Sequence, residues 1–285
     1  MSGKYIIDGV VVNNIVTTNG KISLLNSIAG KKSGFASSIM VGIGSTAASI
    51  NDTSLQFLVG GASLATTIVD PVNETIYFKT NLASADQYIV YELGCYPSNM
   101  DASKLGALLI VFGSNTQWTD LIGSSTLDLT NGRIGSGAIR YDIAASSTGS
   151  GTAPLNIDLS GLDATTSIKL AYYVHNMTSV TLKLKVDSSN YFYYSYPVGS
   201  GYLINSANKS AFSSTGSPDW SKISSLEVVA VANSSGGFVV FDACRYDTPQ
   251  GNQAGGLLSR AVLGTPKAKF AGVTSDVEYI LEVTI

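Results

Sequence analysis

Charge is scarce in this chain of 285 residues: Asp, Glu, Lys and Arg make up 13% of it, about half the share of an ordinary soluble domain. With 17 basic and 20 acidic residues the net charge is -3, so no clustered basic footprint points to nucleic-acid phosphates. Histidine occurs once, at His175, which excludes His-rich metal spacing and leaves a Ser or Cys nucleophile a single base to use. The longest apolar run, 105–112, is far short of the roughly 18 residues of a spanning helix, so no membrane insertion is expected. Two cysteines, Cys95 and Cys244, allow at most one bridge, and both sit in strand-like apolar runs where a free thiol behaves as a small hydrophobe.

Catalytic and targeting signatures are missing too. There is no Gly-x-Ser-x-Gly elbow, no Cys-x-x-Cys and no Walker loop. Residues 42–48 match Gly-x-Gly-x-x-Ala, but 49–53 read as a turn where a dinucleotide site needs a helix. The N-terminus meets Asp8 before an apolar h-region develops, so no signal peptide is read and cytoplasmic synthesis is expected. The Asn-x-Ser/Thr matches at Asn51, Asn73, Asn176, Asn208 and Asn233 then carry no weight.

What is present is a β pattern. One segment, 19–30, reads as a helix, with Ile22, Leu25 and Ile28 in one stripe, Asn19 as cap and Gly30 as stop. Elsewhere short β-branched and aromatic runs recur between Gly, Ser, Asn and Asp clusters, the spacing of sandwiches and barrels. The clearest are 38–43, 56–59, 74–80, 87–94 and 107–112, then 167–175, 179–187, 191–196, 225–232 and 237–246. In 180–186 Val180, Leu182, Leu184 and Val186 alternate with Thr181, Lys183 and Lys185, a half-buried antiparallel strand. Residues 144–152 read as a flexible loop and 246–256 as a linker.

The closing strand 277–285 belongs to a piece of about 30 residues that cannot bury its own faces, so it is expected to pair with the N-terminal strands. The fold class is therefore all-β: a β-sandwich host, residues 1–112 plus 250–285, with one short N-terminal helix, and a β-sandwich insert at 113–249.

Candidate chemistry lies in the insert. Residues 191–196 place Tyr191 and Tyr193 on one face and Phe192, Tyr194 and Tyr196 on the other, with Tyr172, Tyr173 and Tyr202 expected nearby. Flat rings with hydroxyl handles suit sugar stacking and protein contact alike, or else a core with Tyr hydroxyls at its rim. Tyr172, Tyr191, Tyr193, Tyr194, Tyr196 and Tyr202 are the candidate carbohydrate- or partner-binding residues. Asp242 sits within an apolar strand and must be paired, with Arg245 or a Ca²⁺ ion as the candidates; otherwise no cofactor is expected. His175 reads as a rim residue. If the chain were a glycan-processing enzyme, its carboxylates would come from Asp128, Asp142, Asp158 and Asp242.

Two resemblances enter on particular residues. Segments 157–163 (IDLSGLD), 220–228 (WSKISSLEV) and 239–246 (VVFDACRY) resemble the jelly-roll, carbohydrate-binding-module type of domain, in which a W-x-x-I-x-x-L strand precedes a final strand ending in an acid. Segment 40–55 (MVGIGSTAASINDTSL), with Leu258-Ser259-Arg260-Ala261 and Pro266-Lys267-Ala268-Lys269, resembles tailed-bacteriophage virion proteins of the tail-fibre, baseplate or capsid-decoration kind. That resemblance implies a non-enzymatic structural protein in a virion, a homo-oligomer, often a trimer, with other virion proteins and a host surface glycan as partners. A free carbohydrate-binding module, a glycan-processing enzyme and a decoration protein without ligand are the alternatives.

Overall fold

The structure is a computed structural model that describes residues 2–31, 35–97, 106–114, 116–248 and 256–283. The chain opens with β1 (Ser2–Ile7), β2 (Val10–Asn13), β3 (Ile15–Val16), α1 (Thr18–Ile28) and β4 (Ser38–Gly42). β5 (Leu58–Ser63), β6 (Thr66–Asp70), β7 (Thr75–Leu82) and β8 (Tyr88–Tyr96) follow. Next come β9 (Ala107–Val111), β10 (Thr119–Ile122), β11 (Ser125–Asp128), β12 (Ala138–Ile143), β13 (Thr148–Ile157) and β14 (Ser167–His175). β15 (Met177–Lys185), β16 (Tyr191–Tyr196), β17 (Gly201–Asn208), β18 (Ser213–Thr215), β19 (Ile223–Ala232) and β20 (Gly237–Asp247) precede β21 (Ser259–Lys269) and β22 (Ser275–Glu282). The protein is all-β, with antiparallel sandwich sheets and one α-helix among the described residues. No helix among them is long and apolar enough to cross a membrane.

Two compact units divide the chain: Met1–Leu105 with Gln250–Ile285, and Gly106–Pro249. In the discontinuous unit the sheet β2-β1-β22-β7-β6 faces the sheet β3-β21-β8-β4-β5. Tyr5, Phe78 and Tyr279 from the first sheet share a core with Ile39, Val41, Leu93 and Cys95 from the second. β22 lies between β1 and β7, and β21 between β3 and β8, so the C-terminal strands close both sheets. The strand 107–111, which sequence reading gives to the host, instead pairs with β20 of the continuous unit.

The glycines of segment 40–55 have a packing role. A Cβ on Gly42 would lie 2.4 Å from Glu92 Oε1, and one on Gly44 would lie 2.6 Å from the same atom. Glu92, fully buried, accepts hydrogen bonds from the backbone N–H of Gly44, Gln56 and Phe57. Arg260 pairs with Glu92 at 2.7 Å and Asp52 at 2.8 Å and donates to the Thr46 carbonyl. Segments 40–55 and 258–261, two of the three that carry the virion resemblance, thus meet around one buried ion pair, hydrogen-bonded as a buried charge must be.

The helix differs from its sequence reading. Thr17, not Asn19, caps it, its Oγ1 accepting from Gly20 N at 3.0 Å. Gly20, Ser23 and Leu24 are buried, whereas Ile22, Leu25 and Ile28 are 51%, 65% and 72% exposed. The apolar stripe faces outward because the close approach of Gly20 to the Leu258 carbonyl, where a Cβ would clash at 2.0 Å, fixes the opposite face against the core.

In the continuous unit, β10-β13-β19-β15-β16-β18 packs on β11-β12-β20-β14-β17. Val180, Leu182 and Leu184 from one sheet and Ile168, Leu170 and Val174 from the other fill the space between them. Residues 148–152, expected in a loop, form the start of β13, paired with both β19 and β10. Tyr246 and Asp247, expected in a linker, complete β20, and the remainder of that stretch, 249–255, lies outside the described residues. Cys95 and Cys244 are free, buried thiols, one in each unit.

Candidate functional site

Alternation along the strands sends the six candidate tyrosines to three places. Tyr172, Tyr194 and Tyr196 point between the sheets. Tyr172 is fully buried and donates to the Pro197 carbonyl at 2.8 Å, and Tyr196 donates to the Ile168 carbonyl at 3.0 Å. Tyr194 packs against Tyr196 and Phe212. Tyr191 and Tyr193 lie on the outer face of the β15–β16 sheet, beside Lys183 and Lys185, which both pair with Glu227. Tyr202 is on the outer face of the opposite sheet.

That opposite face holds the densest exposed chemistry. The register places Arg140 of β12, Val240 of β20, Tyr173 of β14 and Tyr202 of β17 in one row across four strands. Asp142, Phe238 and His175 form the adjoining row. Tyr173 and Phe238 stack with ring centroids 5.7 Å apart and planes within 2°. The Arg140 guanidinium covers Phe238 at 4.0 Å, and His175 lies 5.6 Å from it. Arg140 is held by Asp142 at 2.6 Å and Asp128 at 3.3 Å, so the cation–aromatic stack has a fixed orientation. His175 is exposed at the end of β14.

Asp242 closes one side of this face. Opposite β14 the register skips from Ala171–Ala243 to Tyr172–Phe241, leaving Asp242 as the extra residue of a β-bulge. Its carboxylate, fully buried, accepts from Arg133 N at 2.8 Å, Ile134 N at 3.3 Å and the Tyr202 hydroxyl. The Arg133 guanidinium lies 3.7 Å over the Tyr202 ring. Burial pushes the Asp242 carboxyl up to about 6, against the pull of the Tyr202, Arg133 and Ile134 donors. The sequence-based pairing with Arg245 is not the one formed: Arg245 bonds Asp247 at 2.5 Å, and the bulge turns Asp242 toward a segment 109 residues away. The groups around Asp242 are donors, the setting of a hydrogen-bonded acid rather than the oxygen cage a Ca²⁺ ion requires. No group of three or more His, Cys, Asp or Glu among the described residues is placed to hold a metal ion.

The other candidate carboxylates are tied individually. Burial opposes ionisation of Asp128, but donors from Asn131 and Thr130 outweigh it and hold the carboxyl far below the usual range. Arg140 lowers Asp142, and Ser160 lowers Asp158 at an exposed turn. Of the four carboxyls these three are held low, and Asp242, which is raised, is fully buried. In the discontinuous unit a cleft of about 630 Å³ is lined by Ile15, Ala48, Tyr91, Leu263 and Pro266; its charged lining residue, Arg260, is committed to Glu92 and Asp52.

Tyr173, Phe238 and Arg140 were absent from the sequence-based site. The signal available was the alternation of 167–175 and 237–246, which sets Tyr173 and Phe238 opposite to the core residues; the register that joins them was not readable.

The chain matches no family model and no curated protein. Similar solved structures include a family 11 carbohydrate-binding module from Clostridium thermocellum in complex with a β-1,3-1,4-mixed-linked tetrasaccharide (15% identity, 50% of this chain and 96% of that chain, TM-score 0.39). A family 30 carbohydrate-binding module aligns at 12% identity over 50% of this chain and 99% of that one, TM-score 0.39. An exo-β-agarase aligns at 12% identity over 50% of this chain and 25% of its own, TM-score 0.36. These values transfer no ligand and no residue role to the present chain.

Proposed function

We propose that this protein is a non-enzymatic glycan-binding protein, the continuous unit taking the sugar on the outer face of β12-β20-β14-β17 while the discontinuous unit assembles copies of the chain. The observation that carries it is the Arg140–Phe238–Tyr173 stack, half-exposed and flanked by Asp142, His175 and Tyr202. Aromatic rings pack against the apolar faces of pyranoses, and charged and hydroxyl groups at fixed positions bond the sugar hydroxyls. Assembly is supported by the outward stripe of Ile22, Leu25 and Ile28 on α1. A tailed-phage virion, with a homotrimer, other virion proteins and a host surface glycan as partners, is the setting proposed from segments 40–55 and 258–269.

The test is affinity gel electrophoresis in soluble β-glucans, galactans and host surface polysaccharides. The wild-type chain is expected to be retarded by at least one of them without releasing reducing sugar. Tyr173→Ala and Phe238→Ala should abolish the retardation, and Tyr193→Ala should leave it. A chain that no polysaccharide retards, or one disabled by Tyr193→Ala alone, overturns the assignment of this face.

A further inference from the structure

The outer face of β20 changes character along the strand. Phe238 is half-exposed, but Val240, Asp242 and Arg245 are buried although alternation and the bulge turn them away from the sandwich core. Over Asp242 the cover is the segment 129–137, whose Arg133 and Ile134 N–H groups reach the carboxylate. Gly135 and Gly137 adopt φ of +72° and +154°, which lets the segment turn back onto β12. The same carboxylate takes the Tyr202 hydroxyl, and Arg133 stacks on the Tyr202 ring. One acid therefore ties three groups from two places in the sequence, 133–134 and 202, into a single wall beside the Arg140–Tyr173 pair. A neutral side chain of the same size would leave two inward-facing N–H groups with a weaker acceptor.

We infer that Asp242 is a positioning residue of the ligand face: its carboxylate fixes the 129–137 segment and Tyr202 as a preformed wall, so that the face binds sugar without first ordering a loop. The inference rests on the glycan reading above. Other charged and titratable groups on this face are Asp128 from β11, Arg140 and Asp142 from β12, Lys169, Tyr173 and His175 from β14, and Arg245 and Asp247 from β20. Of these, Lys169 and Arg245 are both engaged by Asp247.

The experiment pairs amide hydrogen exchange with gel retardation, on the full chain and without any ligand in the first arm. In the wild type the Arg133 and Ile134 amides should exchange slowly. In Asp242→Ala, and to a smaller degree in Tyr202→Phe, they should exchange at least tenfold faster while the β14 and β19 amides keep their protection, which shows that the sandwich is folded. In the second arm the two variants should weaken retardation by whichever polysaccharide retards the wild type, Asp242→Ala the more. Unchanged exchange at 133 and 134 in a folded Asp242→Ala overturns the inference and leaves the glycan reading standing, as does fast exchange with full retardation. Should Asp242→Ala lose protection throughout, Tyr202→Phe decides on the same two readouts. Failure of every polysaccharide to retard the wild type removes the glycan reading and this role with it.

Discussion

The two units solve the same burial problem with opposite surfaces. Among the described residues, the discontinuous unit leaves Val11, Leu25, Ile28, Val69, Val72 and Phe270 more than half exposed, whereas in the continuous unit one large apolar residue, Leu129, passes that mark clearly. Both units carry surface ion pairs, but the continuous unit adds paired aromatics on the outer faces of both of its sheets. An apolar surface is suited to burial against another protein and a stacked, charged one to a hydroxyl-rich ligand, and this difference is what supports proposing assembly for one unit and recognition for the other.

The contrast breaks most visibly at Arg260. Arg260→Leu leaves Glu92 buried without its cation, at a cost of about 3–5 kcal/mol. Because Trp118 and Trp220 both lie in the continuous unit, tryptophan fluorescence should melt at an unchanged temperature while calorimetry shows an earlier transition for the other unit. A joint shift of both signals would show the units to be one cooperative body.

A second effect is set by pH. Asp242 has a folded value of about 6 against 3.8, so the folded state holds its proton more tightly than the unfolded chain. Its contribution is fully present below pH 4 and is lost as pH rises through 6, on the order of 3 kcal/mol. Asp128 runs the other way: held low by its donors, it stabilises above pH 4 and that stability is lost on acidification. Denaturant melts of the continuous unit across pH 4 to 7 should therefore flatten in Asp242→Asn, and an unaltered profile would reassign the titration.

Smaller again is Gly44→Ala, whose Cβ would meet Gln56 Cβ at 2.4 Å; about 1–3 kcal/mol should be lost from the discontinuous unit in a denaturant melt. The least effect on folding is expected for Leu25→Ser with Ile28→Ser, under about 0.5 kcal/mol. Light scattering should nonetheless give a homo-oligomer for the wild type and a monomer for the double variant. A mass unchanged by the pair of serines would move the assembly surface off α1.

The sequence revealed strands wherever side chains alternate cleanly: 167–175 and 191–196 have the bounds that the pattern suggests. It concealed β13, because Gly149 and Gly151 read as loop residues. They are small for a packing reason, since a Cβ on Gly151 would lie 2.4 Å from both Trp118 Cζ2 and the Tyr141 hydroxyl. It also showed that Asp242 needs a partner, but the bulge that selects Arg133 and Tyr202 over Arg245 is a property of strand pairing. For the tyrosines, period two separated Tyr191 and Tyr193 from Tyr194 and Tyr196, but which row met solvent depended on the opposing sheet.

One cysteine per unit gives the molecule two internal clocks. Cys95 and Cys244 are both inaccessible, and burial raises both thiols far above the range in which a thiolate forms. A thiol-reactive probe therefore labels either position only when its own unit opens. Mass spectrometry of the two peptides during pulsed alkylation would then time the opening of each half of the chain separately, in an unmodified protein and in whatever particle or complex it occupies.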